Sequence, residues 1–134
     1  MLIEFRFKNY RSFRDEAVLS MEAVGLSSLK NCLIEYGNMR LLPGAAIYGK
    51  NGGGKSNVIR AFWLGVQFIR NAQRMQHEKA TVPVAPFALN DYSMKEPTEF
   101  EFDYIVDYVK YWYSLAATRE KIVKEALYHA PKGQ

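Results

Sequence analysis

Hydrophobic and polar positions alternate from the first residues onward. Leu2, Glu4, Arg6 and Lys8 fall on one side, and Ile3, Phe5 and Phe7 on the other. That period predicts a half-buried strand. The polar stretch from Asn9 to Asp15 reads as a turn, and Ala17 to Met21 as a second short strand antiparallel to the first. Val24 to Arg40 is broken by Gly25, Ser27, Ser28, Asn31, Gly37 and Asn38, which predicts a loop-rich connection. Leu41 to Tyr48 reads as an apolar strand of small residues. Pro43 and Gly44 interrupt its start, so its regular part is expected at Ala45 to Tyr48.

From Lys55 to Met75 the period changes. Val58, Ile59, Phe62, Trp63, Val66 and Ile69 form one helical apolar stripe, with Arg60, Gln67, Arg70 and Arg74 off it. Pro83, Pro86 and Pro97 then predict an irregular excursion over 76–97, with Val84 to Leu89 extended. The period of two returns at Thr98. Phe100, Phe102, Tyr104 and Val106 oppose Glu99, Glu101, Asp103 and Ile105. A tight turn at Val106-Asp107-Tyr108 leads to a strand from Tyr108 to Leu115, and a third strand is expected at Ile122 to Tyr128.

Composition narrows the class. A chain of 134 residues, 49% hydrophobic and 24% charged, is expected to form one globular domain rather than a disordered tail, a collagen-like repeat or a disulfide-rich mini-protein. The net charge of +4 permits nucleic-acid binding without selecting it, because Lys and Arg are spread along the chain. Cys32 stands alone, which excludes an internal disulfide and a cysteine-rich metal site and fits a reducing, cytoplasmic compartment. His77 and His129 have no ligand-type neighbours at metal-binding spacing. No apolar run approaches the ~18 residues of a membrane span, and the first residues lack a signal-peptide core.

The chemistry lies in Gly49-Lys50-Asn51-Gly52-Gly53-Gly54-Lys55-Ser56, which fits the pattern G-x-x-x-x-G-K-[ST] between an expected strand and an expected helix. Glycines let the backbone curl so that successive N–H groups point at a phosphate. The start of the helix adds its positive end. Lys55 is placed to reach the β- and γ-phosphates, and the Ser56 hydroxyl to ligate Mg²⁺. ATP and Mg²⁺ are the cofactors this chemistry calls for.

The loop, continued to Asn57, resembles the G-x-N-G-x-G-K-S-N loop of ABC-type ATPase heads of the OLD-like, RecF and SMC kind, PtuA-like defence ATPases among them. Phe7-Lys8-Asn9-Tyr10-Arg11-Ser12-Phe13 resembles their opening, a strand followed by N-[FY]-R-S-F. The later pattern also fits, through Pro86-Phe87, Pro97-Thr98-Glu99-Phe100, Tyr111-Trp112-Tyr113, Ile122 and Glu125-Ala126-Leu127. The fold implied is α/β: a P-loop half-head with antiparallel N-terminal strands, a P-loop strand and helix, and a β-meander. The resemblance implies nucleotide contacts from Arg11, Ser12, Asn51, Gly52, Gly53, Gly54, Lys55, Ser56 and Asn57. Arg11 and Ser12 would lie beside the phosphates. Asn51 would face the phosphate end and the partner subunit, and Asn57 would support the loop.

Gly53 departs from the pattern, since such loops more often carry Ser or Ala there. The resembled heads also have a second apolar strand ending in Asp-Glu, and a Ser-Gly-Gly signature, both C-terminal to everything in this chain. Tyr104-Ile105-Val106-Asp107 imitates the first but lies in an amphipathic hairpin, with Tyr108 where Glu is wanted. Leu26-Ser27-Ser28-Leu29 echoes the second without its glycines. The chain is therefore expected to be the N-terminal part of a head, with 1–48 leading to the P-loop, 49–75 the loop and helix, 76–97 an insertion and 98–134 antiparallel strands.

The resemblance implies an ATP-hydrolysing head that dimerises around ATP and controls an effector such as a nuclease, in anti-phage defence. Heads of this kind sometimes touch nucleic acid, for which Arg60, Arg70, Arg74 and Lys79 on or near the helix are candidates, although an exposed helix face is the commoner reason for such residues; no membrane partner is expected. The alternatives are a RecF-like or SMC-like DNA-repair ATPase and a non-catalytic nucleotide-binding scaffold. A small P-loop kinase or GTPase fits less well, because the loop lies behind two strands and a connector.

Overall fold

The computed structural model describes residues 1–25, 30–75 and 82–131. Five antiparallel strands form the main sheet: β1 (Leu2–Lys8), β2 (Ala17–Ser20), β5 (Thr98–Val106), β6 (Val109–Ala117) and β7 (Ile122–Ala130), in the order β2-β1-β5-β6-β7. β3 (Ile34–Tyr36) and β4 (Met39–Leu41) make a separate hairpin. One long helix, α1 (Lys55–Met75), packs on the sheet, and a short one, α2 (Asp91–Lys95), precedes β5.

The core follows from the two periodicities meeting. Phe5 and Phe7 of β1 lie opposite Phe102 and Phe100 of β5, and all four are buried. Ala61, Leu64 and Phe68 of α1 close the cluster, with Tyr113, Leu115 and Ala117 of β6. Each fully buried phenylalanine contributes about 1.5–3 kcal/mol. Close approach of helix to sheet occurs at Gly65, where an added Cβ would stand 2.6 Å from the Phe102 ring.

The stripe on α1 is displaced from the one the sequence predicts. Val58, Phe62 and Val66 are half-buried, but Ile59, Trp63 and Ile69 are exposed, and the inward line is Ala61, Leu64, Gly65 and Phe68. Ala61 and Gly65 let the helix come close, so that Leu64 and Phe68 reach the sheet phenylalanines, with Phe68 6.1 Å from the Phe100 ring.

A bulge between Leu2 and Glu4 shifts the β1–β5 register. Leu2 joins the phenylalanine cluster, and Ile3 packs instead with Leu41 and Ile105, beside Tyr36 and Met39 of the small hairpin. Burial still alternates along Leu2–Lys8 as expected, but the extra residue in one strand places Ile3 in a cluster apart from Phe5 and Phe7. The same packing buries Ile105, expected on the polar side of β5. On that side Arg6 lies between Glu4, Glu101 and Asp103, at 3.2, 3.4 and 3.8 Å.

Three further expectations are corrected. Residues 44–50 form no strand and are exposed, Tyr48 almost entirely. A strand is held by its neighbours' ladder, and among the described residues none pairs with this segment. The connection over 24–40 contains the β3–β4 hairpin, turning at Gly37-Asn38. The excursion over 76–97 contains α2, capped by Asn90, whose Oδ1 accepts from Tyr92 N and Ser93 N; the expected extended stretch ends in a turn at Ala88-Leu89.

Candidate phosphate site at the start of α1

Tyr10, Arg11, Ser12 and Phe13 form a tight turn directly after β1. Tyr10 N donates to Phe13 O and Phe13 N to Tyr10 O, at 2.8 and 2.9 Å. Arg11 and Ser12 are exposed at its tip, and Arg11 adopts a φ of 50°. The turn is anchored from below by Asn9, buried and at a φ of 54°. Asn9 Nδ2 donates to Ser93 O and Glu96 O at 2.7 and 3.0 Å, and Asn9 Oδ1 accepts from Phe87 N at 3.0 Å. Thr98 Oγ1 donates to Asn9 O at 2.7 Å. Asn9 and Thr98 carry no chemistry in the sequence reading, yet they fix the segment bearing Arg11 and Ser12. The signal was the Asn that opens the N-[FY]-R-S-F resemblance.

The turn rests on the start of α1. Gly54 caps the helix, accepting from Asn57 N and Val58 N at 2.9 and 3.2 Å. Its φ is +86°, and an added Cβ would meet Ser12 Oγ at 3.1 Å and the Phe13 ring at 3.2 Å. Only glycine satisfies both conditions. Asn57 Nδ2 donates to Ser12 Oγ at 2.9 Å, and Arg60 Nη1 reaches Asn57 Oδ1 at 3.5 Å. Ser12, Gly54, Asn57 and Arg60 are thus brought together. Arg11 is held beside them: its N donates to Ala85 O, its Nε to Tyr10 OH, and its guanidinium lies 5.6 Å from the Tyr10 ring centroid.

Within the loop, Gly53 N donates to Lys50 O at 3.1 Å, closing a turn over 50–53. A Cβ at Gly53 would stand 3.0 Å from Lys50 O, so in this conformation the glycine relieves a contact that Ser or Ala would make. Lys55 folds back and donates through Nζ to Gly49 O and Lys50 O, each at 2.6 Å. Asn51, Gly52 and Ser56 are exposed. The first turn of α1 contains no carboxylate, and its leading N–H groups have no partner within the helix. The helix start thus combines unpaired backbone donors and the positive end of the helix dipole with no acidic side chain in its first turn.

The two imitations of catalytic motifs separate here. Asp107 lies in the β5–β6 turn with Tyr108, at φ values of 50° and 62°, at the opposite end of β5 from Asn9 and Thr98. Leu26-Ser27-Ser28-Leu29 lies outside the described residues, as do His77, Lys79 and the side chain of Arg74. The aromatic residues divide: Tyr113 is buried, Tyr104 stacks on Tyr111 at 5.5 Å and Trp112 lies 5.1 Å from Tyr128, as cross-strand pairs, and Tyr108 is exposed at the turn. His129 is exposed, with its ring 6.0 Å from Tyr111. Among the described residues no group of His, Cys, Asp or Glu could hold a metal ion, and no helix is long and apolar enough to cross a membrane.

Residues 45–134 match the family described as "AAA domain, putative AbiEii toxin, Type IV TA system". The match takes in the glycine-rich loop, α1 and the meander, and begins beyond Arg11 and Ser12. No curated protein and no solved structure matches the chain. With a glycine-capped helix following a complete G-x-x-x-x-G-K-S loop, the chain belongs to this AAA-domain family of P-loop ATPase type.

Proposed function

We propose that the chain is the nucleotide-binding part of an ABC-type ATPase head of the OLD-like, RecF and SMC kind. It binds Mg²⁺-ATP at Gly49–Ser56. The supporting observation is the seating of the Tyr10–Phe13 turn on Gly54 and Asn57, because it adds a cationic residue from outside the loop to the phosphate site. In this reading the backbone N–H groups of 52 and 54–56 cradle the phosphates, that of Gly53 joining them once it leaves Lys50 O, and Lys55 turns from its loop carbonyls to the β- and γ-phosphates. Ser56 Oγ supplies a ligand to Mg²⁺, Arg11 pairs with phosphate oxygen, and Asn51 faces the γ end.

The exposure of Ile47 and Tyr48, and of Ile59 and Ile69, is consistent with a larger head whose further strands cover them. Such a head would close on a second copy around ATP, hydrolyse it to separate, and so control an effector such as a nuclease, in defence or in DNA repair.

Calorimetric titration with Mg²⁺-ATP tests the binding claim. The wild-type chain binds, and Lys55→Ala abolishes binding. Equal affinity in the two proteins would refute the assignment.

A further inference from the structure

A groove of about 490 Å³ runs along α1 beside the phosphate site. Arg60, Trp63, Gln67 and Asn71 line it from the helix, and Tyr10 and Arg11 from the turn after β1. We propose that this groove receives the nucleoside of the bound nucleotide, with its base stacked on Trp63. The inference rests on phosphate binding at Gly49–Ser56.

Position supports it first. Arg11 adjoins Ser12, and Arg60 touches Asn57, so the near end of the groove is the edge of the phosphate site. From Asn57 to Trp63 the helix rises about 9 Å, which is the span of a ribose and its base. Chemistry supports it next. Trp63 is 61% exposed on a helix whose packing is completed by Ala61, Leu64 and Phe68. The core leaves this ring unused, while a base offers it a flat apolar face.

The far end is polar. Asn71 Nδ2 donates to Gln67 O and Gln67 Oε1 at 3.0 and 3.3 Å. That leaves Gln67 Nε2 as a donor and Asn71 Oδ1 as an acceptor for the edge of a base. Arg11, pinned through its N and Nε, keeps both Nη groups for the sugar or the first phosphate. The groove line lies beside the apolar line of Ile59, Phe62, Val66 and Ile69, so base binding and packing of further head structure use different strips of α1.

The test compares Mg²⁺-ATP with magnesium tripolyphosphate, which carries the phosphates without the nucleoside. The chain has two tryptophans, so Trp112→Phe leaves Trp63 as the sole indole. ATP should change its emission, and tripolyphosphate should bind without doing so. By calorimetry in the otherwise native chain, Trp63→Ala should weaken ATP about tenfold, the worth of one base–aromatic stack. It should leave tripolyphosphate unchanged, and Trp63→Phe should recover most of the loss. Equal affinity of the wild type for the two ligands, or equal weakening of both by Trp63→Ala, would overturn the groove assignment and leave the phosphate site standing. If neither ligand bound the wild type, the phosphate site and the groove would fall together.

Discussion

Asn57 in the first turn of α1 donates through Nδ2 to Ser12 Oγ across 2.9 Å, joining two segments 45 residues apart. Arg60 approaches the same Asn57 from the next turn. Because this bond is exposed, it stabilises the fold modestly while fixing where Arg11 stands. Ser12→Ala and Asn57→Ala should each cost about 0.5–1 kcal/mol. The double variant should cost less than the sum, because both remove one interaction. Urea unfolding of the four proteins measures the coupling, and additive losses would show that the bond contributes nothing.

Asn9 is a far more costly position. Its amide satisfies backbone groups at Phe87, Ser93 and Glu96 while its own backbone sits at a positive φ. Asn9→Ala should destabilise by about 2–4 kcal/mol, from orphaned buried groups plus backbone strain. Asn9→Asp should be worse, since a carboxylate oxygen would replace the donor facing those carbonyls. Denaturant midpoints in the order wild type, Ala, Asp check this, and an Asp variant as stable as wild type would contradict it.

Gly65→Ala sets helix propensity against packing. Propensity favours alanine by about 1 kcal/mol. The added Cβ would stand 2.6 Å from the ring of Phe102, which is 3% exposed and has little room to move. Overpacking of this kind costs about 1–3 kcal/mol, so a net loss of about 1 kcal/mol is expected in thermal unfolding. A raised melting temperature would show that the ring yields freely.

Tyr113 gives a pH dependence. Burial, then its hydrogen bond to Glu125 Oε1 at 2.8 Å, push its phenol well above the ordinary tyrosine value. The folded state holds this proton to higher pH than the unfolded state does. The stabilisation is therefore full below about pH 10 and declines as pH rises beyond it. The unfolding free energy of the wild type should fall more steeply above pH 10 than that of Tyr113→Phe. Parallel curves would remove Tyr113 as the source.

What the sequence displays is what local periodicity controls. The alternation at 98–106 and the stripe at 55–75 mark β5 and α1 because each repeats over several turns or pleats. The hidden parts depend on partners. β3 and β4 have three residues each, too few to show a period, and only Gly37-Asn38 marked their turn. α2 has five residues, too few for a helical period to show. Ala45 to Tyr48 has strand composition but lacks the ladder that would make it a strand. At the candidate site, the glycine-rich loop was legible because its residue types stand at a fixed spacing. The groove was not, since Trp63, Gln67 and Asn71 line it together with Arg11, which is far away in sequence.

If the reading proposed above holds, phosphate binds at Gly49–Ser56. The most direct test is a backbone amide NMR titration of the wild-type chain with Mg²⁺-ATP. The largest shifts should fall on Gly52, Gly53, Gly54, Lys55 and Ser56, with smaller ones on Arg11, Ser12 and Asn57. Shifts that spare 49–57, or no shifts at saturating nucleotide, would contradict the account.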